Sequence, residues 1–141
     1  MAAKRQRPTA QTAAGEPLLP AGISVEQVRK GLPLRALDEL AGKLHLDRTE
    51  LAQILGTSLR TLQRKEEASD RLGPAASDRL ARIARIHGLA CHVFGDAEKA
   101  SIWLTSASRP LGEIPLRMLD TDIGTQRVQQ ELRQIEFGMP F

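Results

Sequence analysis

The chain has 141 residues, of which 41% are hydrophobic and 26% charged, so it is expected to fold around a core rather than to remain disordered. Only three Phe and one Trp supply aromatic rings, so aliphatic side chains must build that core. No apolar run approaches the ~20 residues of a membrane-spanning helix, and no signal-peptide pattern follows Met1. The single cysteine excludes an internal disulfide, and a cytoplasmic protein without a membrane partner is predicted.

The net charge of +3 is unevenly distributed along the chain. Residues 1–89 contain 15 Lys and Arg against 10 Asp and Glu, whereas residues 90–141 contain 5 against 7. Phosphate contacts require positive charge, so only the N-terminal part is suited to nucleic acid. Chance scatter of a few charges is the alternative explanation.

Residues 1–20 are rich in Ala, Gln, Thr and Pro without apolar periodicity, which predicts a flexible N-terminal tail. Its basic cluster, Lys4, Arg5 and Arg7, is expected to be solvated, and contact with a DNA backbone is the alternative. A helix-turn-helix domain is predicted over residues 21–72, a connecting long helix over 73–95 and a further helical domain over 96–141.

Two helices are predicted before the central motif. A short one follows Ser24 and ends at Gly31, and one of about 11 residues begins near Pro33, which suits a first helical turn. The apolar residues that recur at helical spacing in the second are Leu34, Leu37, Leu40, Ala41 and Leu44.

Residues 47–67 have the pattern of a helix-turn-helix. Asp47 and Glu50 form a capping box before the first helix, Gly56 supplies the turn, and Ser58 caps the second helix. The second helix presents a polar and basic face that suits a DNA groove. The predicted DNA-binding residues are Arg48, Ser58, Arg60, Thr61, Gln63, Arg64 and Lys65.

The alternative for this motif is an ordinary helical hairpin with a solvated basic face. Thr57 occupies the position where a buried aliphatic residue usually anchors the turn, and Leu59 a position that often carries a base-reading polar side chain. The pair of helices is therefore predicted more firmly than sequence-specific DNA binding.

The long helix after Gly73-Pro74 has an apolar stripe that is predicted to be core. Its arginines, Arg79, Arg82 and Arg85, are interpreted as a solvated face, with a position flanking DNA as the alternative.

One face of the same helix carries His87 and Cys91, with His92 adjacent. No further Cys or carboxylate pair completes a tetrahedral set, so a structural role is predicted and no metal or other cofactor is expected.

Three further helices are predicted after Gly95. Asp96 caps the first, Ala97 to Thr105; Pro115 opens a short one through Leu119; and Thr121 caps the last, from Asp122 to Phe137. Between them, residues 108–116 form an apolar loop with Pro and Gly that must be held by packing.

The C-terminus is unusually aromatic for this chain, because Phe137 and Phe141 fall within the last five positions. Apolar anchors at a flexible end suit insertion into a partner's pocket, and folding back onto the last helices is the alternative.

Residues 93–104 and 108–141 resemble the toxin-binding domain of the Xre/MbcA/ParS family of antitoxins. The matching positions are Trp103-Leu104, Leu111-Gly112, Pro115-Leu116, Thr121, Gly124, Leu132, Ile135 and Gly138. The helix-turn-helix, with Thr61-Leu62-Gln63-Arg64, resembles the Xre-like domain of the same family, so the resemblance covers roughly residues 30–141. Glu113-Ile114 departs from relatives that carry a second Gly and a small residue there.

The resemblance implies an all-α antitoxin of a type II toxin–antitoxin pair: a helix-turn-helix DNA-binding domain followed by a helical toxin-binding domain. The implied partners are a RES-domain toxin that destroys NAD⁺, operator DNA bound in autorepression, and a second copy in a homodimer. The residues expected to bind toxin are Trp103, Arg109, Leu111, Arg133, Gln134, Phe137, Gly138, Met139, Pro140 and Phe141.

Two other functions are alternatives to the antitoxin. A stand-alone helix-turn-helix regulator would use the C-terminal domain only to dimerise or to sense a small molecule, and the gene beside it would discriminate the two. An enzyme is disfavoured, because the chain has no Tyr, no phosphate-binding Gly-rich loop, no nucleophile elbow and no His paired with a carboxylate at catalytic spacing.

Overall fold

A computed structural model describes residues 22–69 and 71–138. These residues form α1 (Val25–Lys30), α2 (Leu34–Leu44), α3 (Arg48–Ile54), α4 (Leu59–Ala68), α5 (Pro74–Phe94), α6 (Ala97–Thr105), a 3-10 helix (Pro115–Asp120) and α7 (Asp122–Glu136). No β-strand forms within the described ranges, so the predicted all-α fold is confirmed. None of the helices described there is long and apolar enough to cross a membrane. The predicted N-terminal tail lies outside the described residues.

The helices begin where the sequence places capping side chains. Asp47 and Glu50 form the reciprocal capping box of α3, and the Ser58 hydroxyl accepts the backbone N–H of Thr61 in α4. Asp96 caps α6 and Thr121 caps α7 in the same way. The predicted N-terminal ends of these helices are confirmed. Each such cap contributes about 1 kcal/mol to the stability of its helix.

Gly56, in the turn after α3, and Gly95, directly after α5, have positive φ angles of 79° and 69°. Glycine reaches this left-handed region without the steric cost that other residues incur. At the other end of the chain, α7 stops at Glu136, one residue before the predicted boundary.

One hydrophobic core unites all the helices from α2 onward. The long helix α5 runs through it with Leu80, Ile83, Ile86 and Ala90, each at most 1% exposed. On one side it packs against α1, and on the other against α6, the 3-10 helix and α7. Helix α5 therefore contacts both the N-terminal and the C-terminal part of the protein.

Polar bonds reinforce the same connection. The Ser101 hydroxyl of α6 donates to the carbonyl of Lys43 at the end of α2, at 2.7 Å. The backbone N–H of Leu32 donates to the buried Ser77 hydroxyl of α5, at 2.8 Å. Buried hydroxyl groups need such partners, and here each partner lies outside the helix that carries the hydroxyl.

His87 is the one buried histidine of the described residues and lies where α2, α5 and α6 meet. Its Nε2 atom is 3.4 Å from the Ser101 hydroxyl, and Cys91 Sγ is 3.7 Å away. Burial, and secondarily the charge of Lys43, lowers the pKa of His87 below its ordinary value. The folded state therefore favours the neutral form of this imidazole.

Acidification should destabilise the protein through His87. Below the ordinary histidine pKa of about 6.5 the unfolded chain takes up a proton that the folded imidazole resists, so stability should fall as the pH drops from 7.5 to 5.5. The His87→Gln variant should show a flatter dependence than the wild type in thermal melts between these pH values. An unchanged slope in His87→Gln would contradict the assignment.

Candidate functional site

The helix-turn-helix consists of α3, the turn from Leu55 to Ser58, and α4. Ala52 is fully buried where the two helices meet, and Leu62 anchors α4 with 1% exposure. A small residue at this crossing permits the close approach that the motif requires. The outer side of α4, named here the recognition surface, consists of Ser58, Arg60, Thr61, Gln63, Arg64 and Lys65.

The recognition surface exposes Arg60, Gln63 and Arg64 to solvent, whereas Thr61 and Lys65 are half-buried. The Ser58 hydroxyl accepts the Thr61 N–H at 3.1 Å and lies 3.0 Å from the Thr61 hydroxyl, so it is committed to the cap. The side chains that can reach a base edge without breaking a contact are therefore the three exposed ones.

Arg48, one of the residues predicted to bind DNA, takes part in an ion-pair network in the structure. Its guanidinium donates to both carboxylate oxygens of Asp38 at 2.9 Å and to Glu66 at 3.1 Å. These hydrogen bonds raise its pKa above the ordinary arginine value. Arg48 thereby links α2, α3 and α4, and its contact with Glu66 holds α4, the helix that carries the recognition surface.

Thr57 and Leu59, the two residues that depart from the usual helix-turn-helix motif, are both half-buried. The Thr57 N–H donates to the Ala52 carbonyl at 2.9 Å, which closes the turn. Leu59 begins α4 immediately after the cap.

The loop before the 3-10 helix is closed by its own backbone. The Gly112 N–H donates to the Ser108 carbonyl at 2.8 Å, and the Ser108 N–H to the Glu113 carbonyl at 3.1 Å. Leu111 packs inward and is 7% exposed, so this predicted toxin contact belongs to the core edge. Arg109 stays exposed at the tip.

Trp103 is half-buried and packs against Phe94, with ring centroids 5.9 Å apart. Only part of the indole is therefore available to a partner. The loop and Trp103 present less apolar surface than their sequence suggests.

Phe137, the residue that follows α7, is the most exposed aromatic side chain among the described residues. Phe137 is 70% exposed, and Gly138 follows it in the left-handed conformation. We name Arg133, Gln134, Phe137 and Gly138 the terminal surface; Gln134 is half-buried, and Arg133 and Gly138 are exposed. The predicted contacts Met139, Pro140 and Phe141 lie outside the described residues.

Glu136 fixes the terminal surface to the rest of the protein. Its carboxylate accepts from Arg133 at 3.1 Å and pairs with His92 of α5 at 3.0 Å. The hydrogen bond from Arg133, followed by the contact with His92, lowers the pKa of Glu136 below its ordinary value. The three-residue spacing of Arg133 and Glu136 could have indicated the first contact from the sequence, but nothing local could have indicated His92.

Other exposed apolar side chains were not singled out in the sequence. Ile123 at the start of α7 is 73% exposed, Val25 of α1 is 65% and Ile102 of α6 is 55%. No group of three His, Cys, Asp or Glu side chains that could hold a metal ion occurs in the described part of the chain.

Comparison with known proteins gives two family matches and two named relatives. Residues 24–85 match the antitoxin Xre-like helix-turn-helix domain, and residues 89–138 match the antitoxin Xre/MbcA/ParS C-terminal toxin-binding domain. An antitoxin Xre of Yersinia enterocolitica is 26% identical over 119 residues, which cover 83% of this chain and 80% of that protein. An antitoxin Xre of Pseudomonas putida is 43% identical over 81 residues, covering 57% of this chain and about half (51%) of the relative.

Proposed function

We propose that this chain, which belongs to the Xre/MbcA/ParS family of antitoxins, neutralises a RES-domain toxin that degrades NAD⁺ and represses its own operon. In this proposal the terminal surface, continued by Met139 to Phe141, enters the active-site cleft of the toxin and excludes its substrate. The recognition surface binds the operator. The pair would be of type II, because the antitoxin acts as a protein on a protein.

The observation that carries the toxin half is the exposure of Phe137. An aromatic ring that is 70% exposed contributes little to the core of its own chain, whereas aromatic anchors dominate the binding energy of protein interfaces. The bonds of Glu136 to Arg133 and His92 hold the preceding turn, so the ring is presented from a fixed support. Pre-ordering of this kind reduces the entropy lost on binding.

Charge supports the same partner. Residues 90–141 carry 5 Lys and Arg against 7 Asp and Glu, which is a net negative charge. A cleft that accepts a dinucleotide must be concave and partly basic, so a negatively charged domain with a protruding apolar end complements it.

The DNA half rests on the recognition surface, where Arg60, Gln63 and Arg64 project from a helix with a well-defined cap. In known helix-turn-helix complexes such a helix lies in the major groove, and two copies bind half-sites one helical turn apart. We therefore propose a homodimer on a palindromic operator.

Arg64→Ala should weaken operator binding by about 1–3 kcal/mol if the guanidinium reads a base edge. Its side chain makes no hydrogen bond within the described residues, so folding should be unaffected. Binding of the promoter duplex would be followed by fluorescence anisotropy at fixed salt. An unchanged affinity would mean that α4 has only a structural role.

The decisive experiment for the proposed function is co-purification with the product of the adjacent gene, followed by an NAD⁺-consumption assay with and without this chain. A stable complex in which NAD⁺ is spared is the expected result. Consumption that this chain does not slow would contradict the proposal and favour a stand-alone regulator.

A further inference from the structure

The three arginines along α5 differ in what they contact, although the sequence presents them as one face. Arg82 donates to the Leu119 carbonyl at 3.0 Å and to Asp78 at 3.0 Å, which ties it to the 3-10 helix. Arg85 reaches Gln129 of α7 at 3.4 Å. Both side chains therefore point toward the C-terminal part of the protein.

Arg79 points the other way and covers the turn of the helix-turn-helix. Its guanidinium lies directly over Gly56: a β-carbon at that glycine would overlap Nη1 of Arg79 and would lie 3.3 Å from its Cζ. Gly56 is separated by one residue from Ser58, the cap of α4. The charge of Arg79 is thus held at the N-terminal end of the recognition surface.

Arg79 differs from the other half-buried arginines in its pairing. Among residues 22–69 and 71–138 its guanidinium makes no hydrogen bond or ion pair, although the side chain is half-buried. By contrast, the half-buried Arg48 and Arg82 are both bonded to carboxylates. A partly desolvated cation without an acceptor raises the free energy of the isolated protein. An anion that binds to it forms a charge-assisted hydrogen bond and removes that cost.

We propose that Arg79 contacts a phosphate of the DNA backbone beside the base pairs read by α4. The inference rests on the proposed operator binding. In helix-turn-helix complexes the N-terminal residues of the second helix meet the base edges, so a guanidinium packed on the preceding turn lies next to the strand that borders the groove. The DNA-binding face then includes α5, which is outside the two-helix motif.

A phosphate contact predicts a particular pattern of effects, because phosphates are the same in every sequence. Loss of Arg79 should weaken binding to operator and to unrelated DNA by the same factor, about tenfold near 0.1 M salt. The slope of log affinity against log salt concentration should become shallower by about 0.9 for each bound copy. A base-reading residue such as Arg64 should instead reduce the ratio between operator and unrelated DNA.

The test compares Arg79→Gln with the full-length wild type on its own promoter duplex and on a scrambled duplex of equal length, between 50 and 300 mM salt. Arg85→Gln is the matched control, since it removes the same charge from the same helix. Arg79→Lys should restore most of the salt slope, because a point charge also pairs with phosphate. All variants should retain the circular dichroism spectrum and thermal midpoint of the wild type.

The outcomes separate the two proposals. If the wild type binds its promoter and Arg79→Gln shows the same affinity and slope, the role of Arg79 is wrong while operator binding stands. If Arg79→Gln loses only operator binding, Arg79 reads bases and the phosphate assignment is wrong. If the wild type does not bind its promoter, both proposals fail.

Discussion

Phe137→Ala should weaken the complex with the toxin by at least about 2 kcal/mol, which is roughly a thirtyfold loss of affinity. The ring is 70% exposed in the free protein, so its removal leaves no cavity and should change folding stability by less than about 0.5 kcal/mol. Isothermal titration with an inactive toxin would measure the first quantity, and urea unfolding the second. Neutralisation of NAD⁺ consumption should decline in parallel with affinity.

Ile123→Ala is the matched control for this prediction. Ile123 lies in the first turn of α7 and is 73% exposed, whereas Phe137 follows the other end of that helix. If exposed apolar area alone mattered, both variants should lose similar affinity. Equal losses, or no loss in Phe137→Ala, would contradict the placement of the toxin contact at the C-terminal end of α7.

Local signals in the sequence were sufficient to locate the helices. The caps at Asp47, Ser58, Asp96 and Thr121, and the turn at Gly56, depend on atoms within three or four residues of each other. Such short-range interactions can be predicted from a single sequence. The all-α fold and the helix-turn-helix followed from it.

The partners of the functional side chains were less accessible to sequence reasoning. Arg48 is ten residues from Asp38 and 18 from Glu66, and no local rule distinguishes a DNA-facing arginine from one that braces three helices. Leu111 was assigned to the toxin surface because of its family motif, yet it packs inward. Arg79 and Arg82 differ only in which neighbour the tertiary fold brings to them.

Helix α5 has the largest consequence for how the two halves of the protein behave. The two family matches divide the chain between residues 85 and 89, in the middle of this helix. Its buried residues nevertheless belong to one core with those of α2 and α7. A cut at that point would remove packing from both halves, so neither is expected to be stable without the other.

Leu132→Ala tests this coupling. Leu132 of α7 is fully buried, and its truncation should cost about 2–5 kcal/mol, a large part of the ~5–15 kcal/mol that holds a typical domain folded. If the halves are coupled, the loss of stability should also appear in α2, which belongs to the N-terminal half. The free energy of opening measured by amide hydrogen exchange in α2 should fall by the same amount as the free energy of unfolding that Trp103 fluorescence measures in urea.

Arg127→Ala on the exposed side of α7 provides the control and should change both measurements by less than about 0.5 kcal/mol. Exchange in α2 that stays at the wild-type rate while Trp103 unfolds would show two independent domains. An equal loss of free energy in both measurements would mean that the two halves unfold as one cooperative unit. A ligand that binds only the folded state stabilises such a unit as a whole. Toxin binding to the C-terminal half would then also stabilise α2 and the recognition surface.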